Sequence, residues 1–145
     1  MKLSSSTDSI IETLSRLARE YRVQIFYAFG SRAAEIRAAV DETGKLDPAN
    51  AADIDVAVKL FRDEMLSIRE KAELAIELED LFGTGRVDLV LLADADPFLA
   101  ANIIRGERLF CRDEHAADVY ELYVLRRAGD LAPFERERIE SVLNR

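Results

Sequence analysis

Asp53-Ile54-Asp55-Val56-Ala57-Val58-Lys59-Leu60 (DIDVAVKL) alternates apolar with other residues in the manner of a β-strand. Residues two apart on a strand point to the same face, about 7 Å from each other. Asp53 and Asp55 therefore project together, while Ile54, Val56 and Val58 face the other way. A third acidic residue, Asp88, is second in the short apolar run Val87 to Leu92 (VDLVLL), which also reads as a strand. If the two strands are neighbours, the three carboxylates form one cluster.

Working outward, Val23 to Phe29 (VQIFYAF) is rich in β-branched and aromatic residues and reads as a buried strand. It stops at Gly30-Ser31, after which RAAEIRAAV favours a helix. Upstream, Ile10, Ile11, Leu14, Leu17, Ala18 and Tyr21 recur at helical spacing, and Ser9 with Glu12 has the pattern of a capping box. Asp41 to Ala52 (DETGKLDPANAA) carries loop chemistry. Met65 to Phe82 is amphipathic, with Leu74, Leu78 and Leu81 on one face, and Gly83 and Gly85 end it. Asp96-Pro97 pairs an N-cap with a proline at the first helical position, opening a helix that ends near Gly106. Arg108 to Cys111 (RLFC) is expected to be an edge strand. From Ala116 onward the chain is expected to be helical, with a break around Gly129 to Pro133. Strands alternating with helices predict an α+β, α/β-like domain with a small mixed sheet flanked by helices and a C-terminal helical extension.

The chain has 145 residues, with 20 Lys+Arg against 28 Asp+Glu and a net charge of −8. That length suits one domain. The acidic balance argues against neutralising duplex phosphates. A lone cysteine, Cys111, excludes an internal disulfide or a multi-thiolate zinc site. A lone histidine, His115, leaves little for a His-rich metal site. No apolar run approaches a membrane span, and MKLSSSTDS has no apolar core of a secretory signal, so a cytoplasmic protein is expected. Any chemistry must come from carboxylates.

Three carboxylates crowded on an apolar sheet raise one another's pKa. A hard divalent cation relieves the repulsion, and oxygen ligands suit Mg²⁺ or Mn²⁺. Two such ions about 4 Å apart serve in-line attack on a phosphoryl group. A lone D-x-D is common at strand ends and carries little by itself. Gly30-Ser31 adds a strand-to-helix turn where backbone can approach a ligand, and Ser31 is expected to cap the helix, whose free N–H groups attract phosphate. Arg32 is expected to put a positive charge within reach of a triphosphate. A plain tight turn explains Gly-Ser alone equally well.

Taken together and in order, AFGSRA (Ala28 to Ala33), ADIDVAV (Ala52 to Val58) and VDLVLL (Val87 to Leu92) make the chain resemble the minimal nucleotidyltransferases of the DNA polymerase β superfamily, over roughly residues 20 to 128. The resemblance implies that Gly30, Ser31 and Arg32 hold the triphosphate of a nucleotide. It also implies that Asp53, Asp55 and Asp88 bind two Mg²⁺ ions, with Asp88 as candidate general base. It divides the chain into a nucleotidyltransferase core over 1–112 and an extension over 113–145. DPFLAANIIRGERLFCRD (Asp96 to Asp113) and YELYVLRR (Tyr120 to Arg127) narrow the likeness to the MntA antitoxins of HEPN/MNT toxin–antitoxin pairs. Such proteins use ATP to attach AMP to a tyrosine of a HEPN ribonuclease toxin, which they also bind.

Two departures stand out. Ser31 and Asp53 are separated by 21 residues, more than is usual for the family, with the excess at roughly 36–51. Glu35 and Ile36 stand where relatives carry a basic residue and a glycine.

Two other readings compete. One is an antitoxin that neutralises by covering its toxin without chemistry; the other is a nucleotidyltransferase acting on a small hydroxylated molecule of the aminoglycoside type. Several weaker signals read as structure. Arg108 and His115 match a loose R-x-H ribonuclease spacing, but the pair starts on an edge strand and crosses a polar loop. Gly83-Thr84-Gly85 is a helix stop rather than a phosphate loop. Lys59 is a candidate phosphate contact and equally a surface lysine at a strand end. Tyr120 and Tyr123 read as packing residues. The charge-rich segment 134–140 reads as a solvated helix face, and the C-terminal region is the expected docking surface for a partner.

Overall fold

The computed structural model describes residues 6–43, 46–47, 50 and 52–143. Four strands, β1 (Val23–Phe29), β2 (Ile54–Leu60), β3 (Val87–Leu91) and β4 (Glu107–Cys111), form one sheet in the order β3-β2-β1-β4. β1 runs antiparallel to both β2 and β4, whereas β2 and β3 are parallel. The sheet is mixed, as expected, and the parallel pair is joined by the crossover helix α3 (Ile68–Phe82). The other helices are α1 (Ser6–Glu20), α2 (Ala33–Ala38), α4 (Pro97–Ile104) and α5 (Glu114–Leu143).

Strand alternation gives the sheet two apolar faces. Phe26, Ala28, Val56, Val58 and Leu89 pack under α1, α2 and α3, meeting Leu14, Leu17, Ile36, Leu74 and Leu78. Ile25, Tyr27 and Ala57 pack under α4 and α5, meeting Ala101, Ile103, Ala117 and Val124. An irregularity in register between Val23 and Ile25 puts Val23 and Phe26 into the same cluster despite their odd spacing.

Several boundaries differ from expectation for local reasons. α1 begins at Ser6, so Ser9 lies inside the helix instead of at its cap, and its side chain is outside the described residues. Asp41 does not open a loop: α2 passes into a π-helical turn over Ala39–Thr43. Residues 44, 45, 48, 49 and 51 of the expected loop lie outside the described residues. α3 starts three residues later than predicted, because Ser67 accepts the Glu70 N–H while the Glu70 carboxylate accepts the Ser67 N–H, closing a capping box. Gly83 then ends it in the left-handed region at φ 65°. Asp96 caps α4 through the N–H groups of Phe98 and Leu99, ahead of Pro97, as read from the sequence.

The largest correction is α5. The expected break at Gly129–Pro133 is absent, and one helix of 30 residues carries Pro133 inside it. The proline removes one bond to the carbonyl of Gly129, which is solvent-exposed, so water can take the vacated acceptor. Among the described residues no helix is long and apolar enough to cross a membrane.

Candidate active site

The parallel register of β2 and β3 pairs Asp55 directly with Asp88. Antiparallel pairing with β1 sets Asp55 opposite Phe29, the last residue before Gly30. The strand-to-helix turn and the aspartates therefore share one end of the sheet. Gly30 has φ +78°, and a Cβ built on it would lie 2.3 Å from Asp55 Oδ2. Only a residue without a side chain lets the turn and this carboxylate come so close.

Asp53 sits just before β2 and joins the others through Arg86. The Arg86 Nε is 3.5 Å from Asp53 Oδ2 and 3.7 Å from Asp88 Oδ1. Burial first, then the charges of Asp88 and Asp53, pushes the Asp55 carboxyl above its ordinary range. These observations bring all three aspartates into one electrostatic unit. Among the described residues no three carboxylate, imidazole or thiol groups close into a finished metal cage. The donor set is nonetheless purely carboxylate oxygen, and a guanidinium already bridges two of its members. That chemistry fits a hard divalent cation.

Arg32 departs from its expected place. It is 3% exposed, and its guanidinium donates to both carboxylate oxygens of Glu35 at 2.8 and 3.0 Å and to the carbonyls of Ala52 and Asn50 at 2.7 and 3.3 Å. With those donors spent, Arg32 is a strut tying α2 to the start of β2. Ser31 is exposed, but it is not the helix cap: Arg32 holds that position, with no side-chain capping bond. Glu35, a charge of the wrong sign for a triphosphate, is turned into the strut. Arg32 holds its carboxyl below the usual range, and it accepts the Asp47 N–H at 2.7 Å. The long connection is thereby pinned at Asp47, Asn50 and Ala52.

Sequence reasoning missed Arg86. The available signal was its spacing two residues before Asp88, which puts both side chains on one face as β3 begins. Gly83-Thr84-Gly85 does stop α3, yet it also lines, with Arg32, Asn50, Asp53 and Arg86, a cavity of about 320 Å³ at the Asp53 side of the cluster. Lys59 shares the face of Asp55 but lies four residues on, about 13 Å away at strand rise, so it does not reach the same group. Arg108 is on β4, bound to Asp118 and Glu121 at 3.0 Å each, and His115 is exposed.

The family model described as polymerase beta, nucleotidyltransferase matches residues 10–115. No curated protein matches the chain by sequence. Among solved structures, a toxin–antitoxin complex with AMP-PNP is similar at TM-score 0.67 and 21% identity, covering 91% of this chain and 97% of that one. A complex of tri-AMPylated Shewanella oneidensis HEPN toxin with MNT antitoxin is similar at TM-score 0.65 and 20% identity, covering 94% and 98%. An MntA–HepT toxin–antitoxin structure gives TM-score 0.65 at 19% identity, covering the same shares, 94% and 98%. The match over the ordered aspartates and the Gly-Ser turn places the chain in the polymerase β-type nucleotidyltransferase family.

Proposed function

We propose that the protein is a Mg²⁺-dependent adenylyltransferase and antitoxin. It transfers AMP from ATP to a tyrosine of a cognate HEPN-family ribonuclease toxin, neutralising it within a cytoplasmic complex. Residues 1–112 form the catalytic core of this reading, and 113–145 form a helical extension of the same domain. The observation that carries it is the in-register pairing of Asp55 with Asp88 beside Gly30, with Asp53 drawn in through Arg86. The similar complexes with AMP-PNP and with an AMPylated HEPN toxin support the choice of nucleotide and partner.

In this mechanism Asp53, Asp55 and Asp88 would hold two Mg²⁺ ions. Bound there, the ions supply charge neutralisation to the triphosphate and lower the pKa of the attacking hydroxyl. Gly30 and Ser31 cradle the phosphates, and Arg32 contributes by holding the turn against β2. Asp88 accepts the proton of the tyrosine hydroxyl. The tyrosine oxygen forms a bond to the α-phosphorus while the bond to pyrophosphate breaks in line. The protein's charge of −8 favours encounter with a basic ribonuclease surface.

Incubated with Mg²⁺-ATP and its toxin, the protein is expected to add multiples of an AMP mass to the toxin, and chelation is expected to stop the gain. An unchanged toxin mass under conditions where ATP binds would overturn the proposal. The exposed apolar side chains of Phe134, Ile139, Val142 and Leu143 on α5 favour a second reading, neutralisation by covering. Replacing Asp53 and Asp55 by Asn separates the two. If neutralisation is lost while the complex still forms, chemistry is responsible; if it survives, covering is.

A further inference from the structure

The face of the sheet that carries the aspartates has a second cavity at its far end, of about 270 Å³. Its walls include Lys59 and Leu60 at the end of β2, Leu92 ahead of α4, Pro97 at its start, and Tyr120 and Arg127 on α5. Lys59 is half-buried there. Its ammonium donates to the Leu60 carbonyl at 2.8 Å and lies 5.2 Å from the centre of the Tyr120 ring. Among the described residues neither Lys59 nor Arg127 has a carboxylate partner. Asp63 and Glu64 also border the cavity, but Glu64 is held by Arg22 at 3.0 Å.

Arg62 also borders the cavity without an ion-pair partner among the described residues, so three cations line it against Asp63 and the already paired Glu64. Burial lowers the Lys59 pKa, so a half-desolvated ammonium gains from an anion seated beside it. Burial likewise pushes the Tyr120 hydroxyl up to about 12, which keeps its ring neutral as an apolar, π-rich wall.

We infer that this cavity is a second ligand site for a small anion carried on a flat apolar body, an aromatic carboxylate or phosphate monoester. Its anionic group meets Lys59 and Arg127, and its ring lies against Tyr120 and Leu92. The volume falls just below the range of about 300–1,000 Å³ typical of drug-sized ligands, which favours a one-ring compound over a nucleoside triphosphate. The inference is independent of nucleotidyl transfer.

The test is an amide NMR titration of the full chain with benzoate, phenyl phosphate and, as an uncharged control, benzamide. Saturable shifts are expected at residues 59–62, 92–100 and 120–127 for benzoate or phenyl phosphate, with Gly30, Asp53 and Asp88 unmoved. Whichever anion binds identifies the headgroup, and benzamide is expected to bind at least tenfold more weakly. Lys59→Met, which keeps the apolar stem, is expected to weaken binding tenfold or more. Arg127→Gln, at an exposed position, gives a second measure that does not depend on the core, with at least threefold weakening expected. The inference is overturned if no anion gives saturable shifts, if benzamide matches the anions, if the shifts centre on Gly30 and Asp53, or if both variants bind as the wild type does.

Discussion

Arg32 carries a full charge at a position almost closed to water, and Glu35 is what makes that tolerable. Its carboxylate accepts two hydrogen bonds from the guanidinium, while the carbonyls of Ala52 and Asn50 accept two more from Nη1. Removing one member of such a pair leaves an uncompensated buried charge, so Glu35→Ala is expected to cost about 3 kcal/mol in denaturant unfolding at pH 7. The pH dependence follows from the direction of the shift. Glu35 has a folded-state pKa below its ordinary 4.5, so its contribution is complete above that value and fades as pH falls through the lowered one. The gap between wild type and Glu35→Ala should therefore narrow below about pH 4. An unchanged gap would mean that packing, and not charge, holds the strut. Gly30 makes a different demand. At φ +78° a Cβ costs about 1–2 kcal/mol. Because it would also run into Asp55 Oδ2, Gly30→Ala should displace the carboxylate and lower the proposed AMP transfer by at least about 100-fold. Measuring transfer and unfolding on the same sample separates the two effects.

At the scale of elements, what the sequence made legible depended on whether the signal was local. β1, β2 and β3, the Asp96-Pro97 start of α4 and the glycine stop of α3 are written in adjacent residues, and the structure has them where expected. The aspartate cluster was legible for the same reason, since period-two alternation fixes the shared face of Asp53 and Asp55 before any tertiary contact forms. The bonds that tie Arg32 to β2 were not legible, because its partner carbonyls lie 18 and 20 residues away across the long connection. Arg86 was missed because its role exists only once β3 lies beside β2. The break expected in α5 failed through an overvalued breaker: proline costs about 3 kcal/mol relative to alanine in a helix interior, a penalty that an exposed helix with water at its carbonyls can absorb. Pro133→Ala should recover part of that cost locally. Amide exchange over 130–140 is expected to slow by about tenfold or more, with little change in the global unfolding midpoint. Unchanged exchange would show that the helix is already as stable there as one without the proline.

Across the whole molecule, the two sheet faces are held by different means. The face under α1, α2 and α3 is apolar throughout, whereas the face under α4 and α5 contains a polar junction. The Tyr27 hydroxyl, on a fully buried residue of β1, donates to Glu121 of α5 at 2.8 Å. Glu121 also accepts from Arg108 of β4, which reaches Asp118 one helical turn earlier. In this way α5 is tied to β1 and β4, and Tyr27 pairs with Ala57, two residues from Asp55. Burial and the neighbouring Glu121 charge raise the Tyr27 pKa, so the hydroxyl stays a donor. Glu121→Ala would strand that donor beneath the helix at an expected cost of about 1–3 kcal/mol, with Glu121→Gln costing less because it keeps an acceptor. A double-mutant cycle decides whether the junction acts as a unit. In a Tyr27→Phe background the stranded donor is gone, so Glu121→Ala should cost clearly less than in the wild type, whereas simple additivity would mean that Glu121 serves Arg108 alone.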